Sequence, residues 1–169
     1  MRPLRVAILG AASSGKSTLA AALAARYGTV WVPEYLREFV DTQARVPVAE
    51  DQFHIASTQV AREAAALAGA GQYLFCDTTP LMTAVYSRHY FHGIDAQLAA
   101  LVARHRYDYT LVCAPDIPWV ADLQREPEDV CRIIDGMLFE ELEARAIPYL
   151  LVSGDTEARL SQVEQLLQN

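Results

Sequence analysis

Gly10, then Ala11, Ala12, Ser13 and Ser14, then Gly15, Lys16, Ser17 and Thr18, satisfy the Walker A spacing of a glycine, four residues and Gly-Lys-Ser. The flanks are those the loop requires. Leu4 to Leu9 reads as a buried strand running into it, and Leu19, Leu23 and Tyr27 recur beyond it at helical spacing. Strand, glycine-bearing turn and helix in that order let backbone N–H groups converge at a helix N-terminus, where the helix dipole also favours anions. Gly10 and Gly15 permit close backbone approach. Lys16 is expected to reach the β- and γ-phosphates of ATP, and the Ser17 hydroxyl to ligate Mg²⁺. Gly10, Ser13, Ser14, Gly15, Lys16, Ser17 and Thr18 therefore form the expected nucleotide site.

The remaining chain alternates strand-like and helix-like stretches. Residues 29–32 form a β-branched and aromatic run that Pro33 ends, which places Glu34 at the C-terminal end of a second strand. Glu50 and Asp51 precede a long helix with an apolar face of Phe53, Ala56, Val60, Ala64 and Leu67; Gln52, Ile55, Gln59 and Arg62 follow a neighbouring stripe. Residues 73–76 are a third strand delivering Asp77 where a Walker B aspartate stands, so Asp77 is the second metal candidate beside Ser17. Helices are expected over 81–91 and 96–102, a strand over 109–113, a helix from Pro127 through Leu142, a strand over 148–152 and a last helix carrying Leu160, Val163 and Leu167. Alternation of this kind implies a parallel sheet covered on both faces. The expected fold is α/β, a P-loop NTPase three-layer sandwich with five parallel strands, as one P-loop domain over residues 1–169. Gly10, Glu34, Asp77, Pro115 and Gly154 follow the five strands and should share one rim, where such sheets bind ligands.

The formal net charge of −7 offers no basic stripe for nucleic acid, and no apolar run is long enough to span a membrane. Cys76, Cys113 and Cys131 form no CxxC pair and read as buried thiols, which suits a cytoplasmic protein. Tyr86, His89, Tyr90 and His92 make a polar-aromatic cluster to which no metal is assigned. A homo-oligomer is left open.

Phosphoryl transfer needs alignment and charge neutralisation. Lys16, Ser17 and Asp77 supply the phosphate and metal sides. Glu34 is placed to accept a proton from an acceptor hydroxyl or to hold it, the alternative being a surface carboxylate paired with Arg37. Arg125 and Arg132 are either lid arginines or part of a solvated helix face; Trp119 is either core or an aromatic wall for a flat ring. Whether Glu34 or Asp77 is the base stays open.

Residues 9–19, 31–40 and 51–59, with Asp77-Thr78 and the segment from Pro118 through Trp119 and Asp122 to Arg125, resemble the ribosylnicotinamide kinase domain of NadR-type proteins over essentially the whole chain. Its most specific parts are the SSGKST loop and the run Pro33-Glu34-Tyr35-Leu36-Arg37-Glu38; the chain departs from the pattern at Ala12 and Leu123. The resemblance implies a nucleoside/nucleotide kinase-like fold and phosphorylation of the ribose 5′-hydroxyl of nicotinamide riboside by ATP and Mg²⁺. By position it implies that Lys16 and its loop bind ATP, Glu34 and Arg37 face the acceptor, Asp77 is the metal or base carboxylate, and Arg125 is a lid residue. Tyr35 and Trp119 would wall the ring, and Gln59 would bond the carboxamide. The chain is expected to be a stand-alone kinase without the adenylyltransferase and DNA-binding parts of bifunctional relatives. The competing expectations are a kinase for another nucleoside or small alcohol, and a regulatory P-loop ATPase.

Overall fold

The computed structural model describes residues 2–117 and 126–169. Five parallel strands form one sheet: β1 (Leu4–Leu9), β2 (Trp31–Val32), β3 (Tyr73–Asp77), β4 (Tyr109–Cys113) and β5 (Leu150–Val152), in the order β2-β3-β1-β4-β5. Helices α1 (Lys16–Tyr27), α2 (Tyr35–Gln43), α3 (Gln52–Ala66), α4 (Pro80–Phe91), α5 (Ala96–Arg104), α6 (Glu128–Ala144) and α7 (Thr156–Leu167) make the crossovers that parallel neighbours require.

The period-2 geometry of the strands divides the core. Val6 and Ile8 of β1 join Phe75, Leu111, Cys113 and Val152 on one face, under Leu19 and Leu23 of α1 and Leu160 and Val163 of α7. Ala7 and Leu9 point the other way with Val112, under Met82 and Val85 of α4, Leu98 and Leu101 of α5 and Ile134, Leu138 and Leu142 of α6. All three cysteines are buried free thiols. Among the described residues no helix is long and apolar enough to cross a membrane.

Register aligns the strand ends. Ile8 pairs with Asp77, Leu9 with Val112, Val32 with Cys76 and Cys113 with Val152, so Gly10, Pro33-Glu34, Thr78, Ala114 and Ser153-Gly154 emerge along one rim. Asp95 and Asp155 cap α5 and α7 by accepting the N–H groups of Leu98 and Ala158.

Local structure differs from the sequence expectation in two informative places. Helix α2 begins immediately at Tyr35, with Glu34 as its extended N-cap residue, so the chain turns from strand to helix within two residues of Val32. Helix α3 is rotated: its buried stripe is Gln52, Ile55, Ala56, Gln59 and Glu63, while Ala64 is exposed and Phe53 and Val60 are only partly buried. Apolar periodicity misorients this helix because Gln52, Gln59 and Glu63 each find a partner inside, though Glu63 only through one of its oxygens. Gln59 bonds backbone groups around β2 and β3, and Glu63 accepts from the Tyr107 hydroxyl at 2.7 Å.

Candidate active site

The loop between β1 and α1 turns through three left-handed residues, Gly10 (φ 145°), Ser13 (φ 67°) and Gly15 (φ 88°). A Cβ on Gly10 would lie 2.7 Å from the buried Ser14 Oγ and 3.2 Å from the Cys113 carbonyl, so that position needs glycine on space as well as φ; Gly15 needs it on φ, since a Cβ there would meet only the movable end of the exposed Ile117 side chain and the Arg159 guanidinium. Within the loop, Ser14 Oγ donates to the Ala11 carbonyl at 2.8 Å. The Lys16 ammonium donates to the same carbonyl at 3.1 Å and is buried. Ser13 Oγ is buried with no partner among the described residues. A left-handed cradle at a helix N-terminus, with a lysine inside it and a hydroxyl left over, fits an anion such as a nucleotide phosphate.

Ser17 begins the exposed side of α1, and its Oγ donates to Asp77 Oδ2 at 2.6 Å. Asp77 is fully buried at the end of β3, with Thr78 Oγ1 at 3.4 Å from its other oxygen. A hydroxyl and a carboxylate oxygen side by side beside the cradle are hard donors that fit Mg²⁺, for which they would exchange their mutual hydrogen bond.

Glu34 reaches the same corner from the other direction. Desolvation raises its pKa above the usual carboxylate value; Lys16 counters this, Asp77 reinforces it, and Arg37 counters it again. A raised carboxylate beside Lys16 and Asp77 has the character of a general base. With Leu36, Gln52, Ile55, Gln59, Thr78, Thr83 and Tyr86 it encloses a cavity of about 20 Å³. Tyr86 therefore turns inward, away from His89 and Tyr90, whose rings pack on each other with centroids 4.6 Å apart. Among the described residues no group of three or more His, Cys, Asp or Glu side chains gathers around a metal position.

Several sequence assignments acquire different surroundings. The Gln59 amide has both of its N–H groups engaged by backbone, Nε2 donating to the carbonyls of Pro33 (3.2 Å) and Asp77 (3.3 Å), and its Oε1 accepts the Tyr35 N–H at 2.8 Å. It ties β2 to β3 beneath Glu34, which leaves no free donor for a ligand carboxamide. The Tyr35 ring carries the Arg62 guanidinium at 4.7 Å and meets His54 edge-on at 6.0 Å, so it packs α2 on α3 instead of walling the cavity. Arg37 is exposed on α2. Arg132 is exposed on α6, 4.0 Å from Glu128. Trp119 and Arg125 lie outside the described residues.

Two buried charges were missed. Asp135 of α6 accepts the Ala11 N–H at 3.0 Å, and burial raises its pKa. Arg159 of α7, 2% exposed, donates to the Ser14 carbonyl at 2.6 Å. Each stands on the buried stripe of its helix, Asp135 beside Ile134 and Leu138, Arg159 beside Leu160 and Val163. A charge on such a stripe needs a partner, and that was the available signal.

Similar proteins match nearly the whole chain. The chain is 30% identical over 169 residues to the trifunctional NAD biosynthesis/regulator protein NadR of Escherichia coli (strain K12), and 29% identical over 171 residues to that of Salmonella typhimurium (strain LT2). Each match covers 96% of this chain and 41% of the relative, so the chain spans about two fifths of their length. Among solved structures, a NadR protein in complex with NR superposes with a TM-score of 0.82 at 20% identity, over 96% of this chain and 51% of that one. A NadR protein in complex with NAD and AMP-PNP gives 0.81 at 19% identity, over 99% and 50%. Thymidylate kinase from Candida albicans gives 0.70 at 15% identity, over 99% and 92%. The architecture is thus that of P-loop nucleoside and nucleotide kinases. A family model described as an AAA domain matches residues 5–159, which take in the cradle, Glu34, Asp77 and both buried charges that hold the loop, and the chain belongs to that AAA domain family.

Proposed function

We propose that this chain is an ATP-dependent phosphotransferase that phosphorylates the 5′-hydroxyl of nicotinamide riboside to give nicotinamide mononucleotide, acting in the cytoplasm as one P-loop kinase domain. The observation that carries the reading is the convergence of three groups on one rim: the Lys16 cradle, the Ser17–Asp77 oxygen pair and the Glu34 carboxylate. The resemblance to NadR proteins over 96% of the chain supports the acceptor.

The loop N–H groups and Lys16 hold the phosphates of ATP, with Lys16 leaving the Ala11 carbonyl to meet them. Mg²⁺, held by Ser17 and Asp77, would neutralise charge on the β- and γ-phosphate oxygens. Glu34 orients the acceptor hydroxyl and takes its proton as the oxygen attacks the γ-phosphorus; the bond from that phosphorus to the bridging oxygen breaks, and ADP leaves. Its raised pKa suits this task, because a more basic carboxylate accepts a proton more readily.

A second reading, a kinase for another nucleoside, is favoured by the engagement of Gln59, whose two amide N–H groups are both taken by backbone carbonyls. ADP release with ATP, Mg²⁺ and a panel of nicotinamide riboside, cytidine, uridine, adenosine and thymidine separates the two, with mass detection of the product. Nicotinamide riboside is expected to be the best acceptor. If another nucleoside alone stimulates release, the acceptor assignment fails and the kinase stands; if none does, the regulatory ATPase replaces both.

A further inference from the structure

Arg159 lies far from the cradle in sequence, yet it is the junction of three segments on the rim. Its Nη1 donates to the Ser14 carbonyl at 2.6 Å; Nη2 donates to the Ala114 carbonyl at 3.1 Å and to Asp116 Oδ1 at 2.5 Å; Nε donates to the Gly154 carbonyl at 3.0 Å. Asp116 in turn accepts the Gly154 N–H through Oδ2 at 2.6 Å. One guanidinium therefore joins the phosphate loop to the turns that leave β4 and β5. The fork geometry matters, since a planar group with fixed donors sets direction as well as distance.

The Ser14 carbonyl and the Gly15 N–H belong to one trans peptide, lie in its plane and point in opposite directions. Drawing the carbonyl onto Arg159 turns the Gly15 N–H away from α7, toward the cradle. Arg159 Nη1 packs close behind the loop, 3.2 Å from where a Gly15 Cβ would stand. Asp116 pairs with the guanidinium, which offsets its charge, so the effect reaches a phosphate through loop geometry more than through attraction.

We infer that Arg159 is a positioning residue for the phosphate cradle: by holding the Ser14 carbonyl from behind, it pre-aims the Gly15 N–H at the nucleotide phosphates and couples that aim to the loops after β4 and β5. The inference rests on the cradle binding ATP and is independent of the acceptor's identity.

The test is ATP affinity by titration calorimetry, alongside KM for ATP, KM for the acceptor and kcat, in Arg159→Met and Arg159→Lys. Arg159→Met is expected to weaken ATP binding about tenfold, the scale of one buried charge-assisted hydrogen bond, with acceptor KM changed less than about twofold. Arg159→Lys keeps the charge without the fork and is expected not to rescue. Wild-type ATP affinity in a folded Arg159→Met protein overturns the inference, and so does full rescue by lysine, which would make the role one of charge alone. Should Arg159→Met not fold, Arg159→Gln decides, since it keeps a polar side chain but loses the fork that holds the Ser14 carbonyl: an ATP affinity lowered about threefold or more with unchanged acceptor KM sustains the inference, and wild-type affinity overturns it. Wild-type protein that binds ATP but phosphorylates no nucleoside would sink the proposed reaction while leaving this test intact.

Discussion

Two charged side chains hold the phosphate loop from behind, Asp135 on the Ala11 N–H and Arg159 on the Ser14 carbonyl, and both are almost wholly buried. Around Glu34 the holding group is a neutral amide, Gln59, and the ion pairs nearby, Arg62 with Glu38 and Arg45 with Asp51, are at the surface. A buried charge that loses its partner costs several kcal/mol, whereas an exposed pair contributes about 1 kcal/mol or less. On these contacts the phosphate loop is the costlier of the two regions to rearrange. Opening of the acceptor side is what a nucleoside demands, because pockets for such ligands run to roughly 300 Å³ or more and the cavity beside Glu34 encloses about 20 Å³. A fixed cradle beside a cleft that reshapes on binding is the arrangement in which acceptor binding can assemble the site and exclude water.

The largest expected effect is on the fixed side. Lys16→Ala removes the ammonium from the cradle while the loop keeps its anchors on Asp135 and Arg159, so the fold should be retained and turnover should fall by more than about 1,000-fold. Circular dichroism checks the fold and ADP release checks the loss; wild-type turnover in a folded variant would remove the loop from the chemistry.

Glu34→Gln strikes the point where the two sides meet, and a loss in kcat of about 100-fold is expected for a positioned base. The pH profile sharpens the assignment. Desolvation raises the folded pKa of Glu34, so the carboxylate form needed to accept a proton is lost as pH falls through a value above the ordinary 4.5. The acidic limb of kcat should therefore lie above that value in the parent and vanish in the variant. A variant within about threefold of the parent would move the base role to Asp77.

The cradle could be read from its local spacing because its residues are contiguous and their strand and helix flanks are strongly patterned. The rim followed for the same reason: five strands in register bring Gly10, Glu34 and Asp77 together whatever the details of the connections. Long-range holding contacts left much weaker signals. Nothing local indicates that Asp135 meets Ala11 or that Arg159 meets Ser14, since those pairings depend on where α6 and α7 dock. Helix α3 was misoriented by Ala64, which satisfies an apolar period without needing burial, whereas Gln52, Gln59 and Glu63 are inside because partners await them. Tyr35 and Gln59, expected to face a ligand, have side chains that join α2, α3 and the strand ends, contacts that local spacing does not reveal.

Glu63 tests whether the acceptor side is the softer one. It is fully buried on α3, one turn beyond Gln59, with Oε1 on the Tyr107 hydroxyl and Oε2 without a partner among the described residues; burial pushes its pKa up to about 7. The folded protein thus holds a proton that the unfolded chain releases near 4.5, so this group's contribution to stability falls as pH rises from about 4.5 to about 7 and stays low above that. Glu63→Gln keeps an acceptor for Tyr107 and removes the ionisation. Urea unfolding at pH 8 should show it more stable than the parent by about 3 kcal/mol, the advantage shrinking toward pH 5. An equal difference at both pH values would mean that Glu63 does not titrate in this range.

Gln59 gives the smallest effect and the finest discrimination. If it positions the strand ends, Gln59→Leu leaves the carbonyls of Pro33 and Asp77 and the Tyr35 N–H without their side-chain partner and lets Glu34 and Asp77 drift relative to the cradle. A misalignment of those carboxylates that raises the barrier by about 1.4 kcal/mol corresponds to a fall in kcat of about tenfold. Because the displaced groups act on the reacting atoms, that fall should be the same for nicotinamide riboside and for any other nucleoside the protein accepts, with ATP KM unchanged. If the amide instead reads a ligand carboxamide, KM should rise for nicotinamide riboside alone and kcat should hold. Equal kcat losses across acceptors would establish that the acceptor side, like the cradle, is aligned by a residue that never touches substrate; a selective KM effect would show that the Gln59 bonds to backbone give way when the cleft opens.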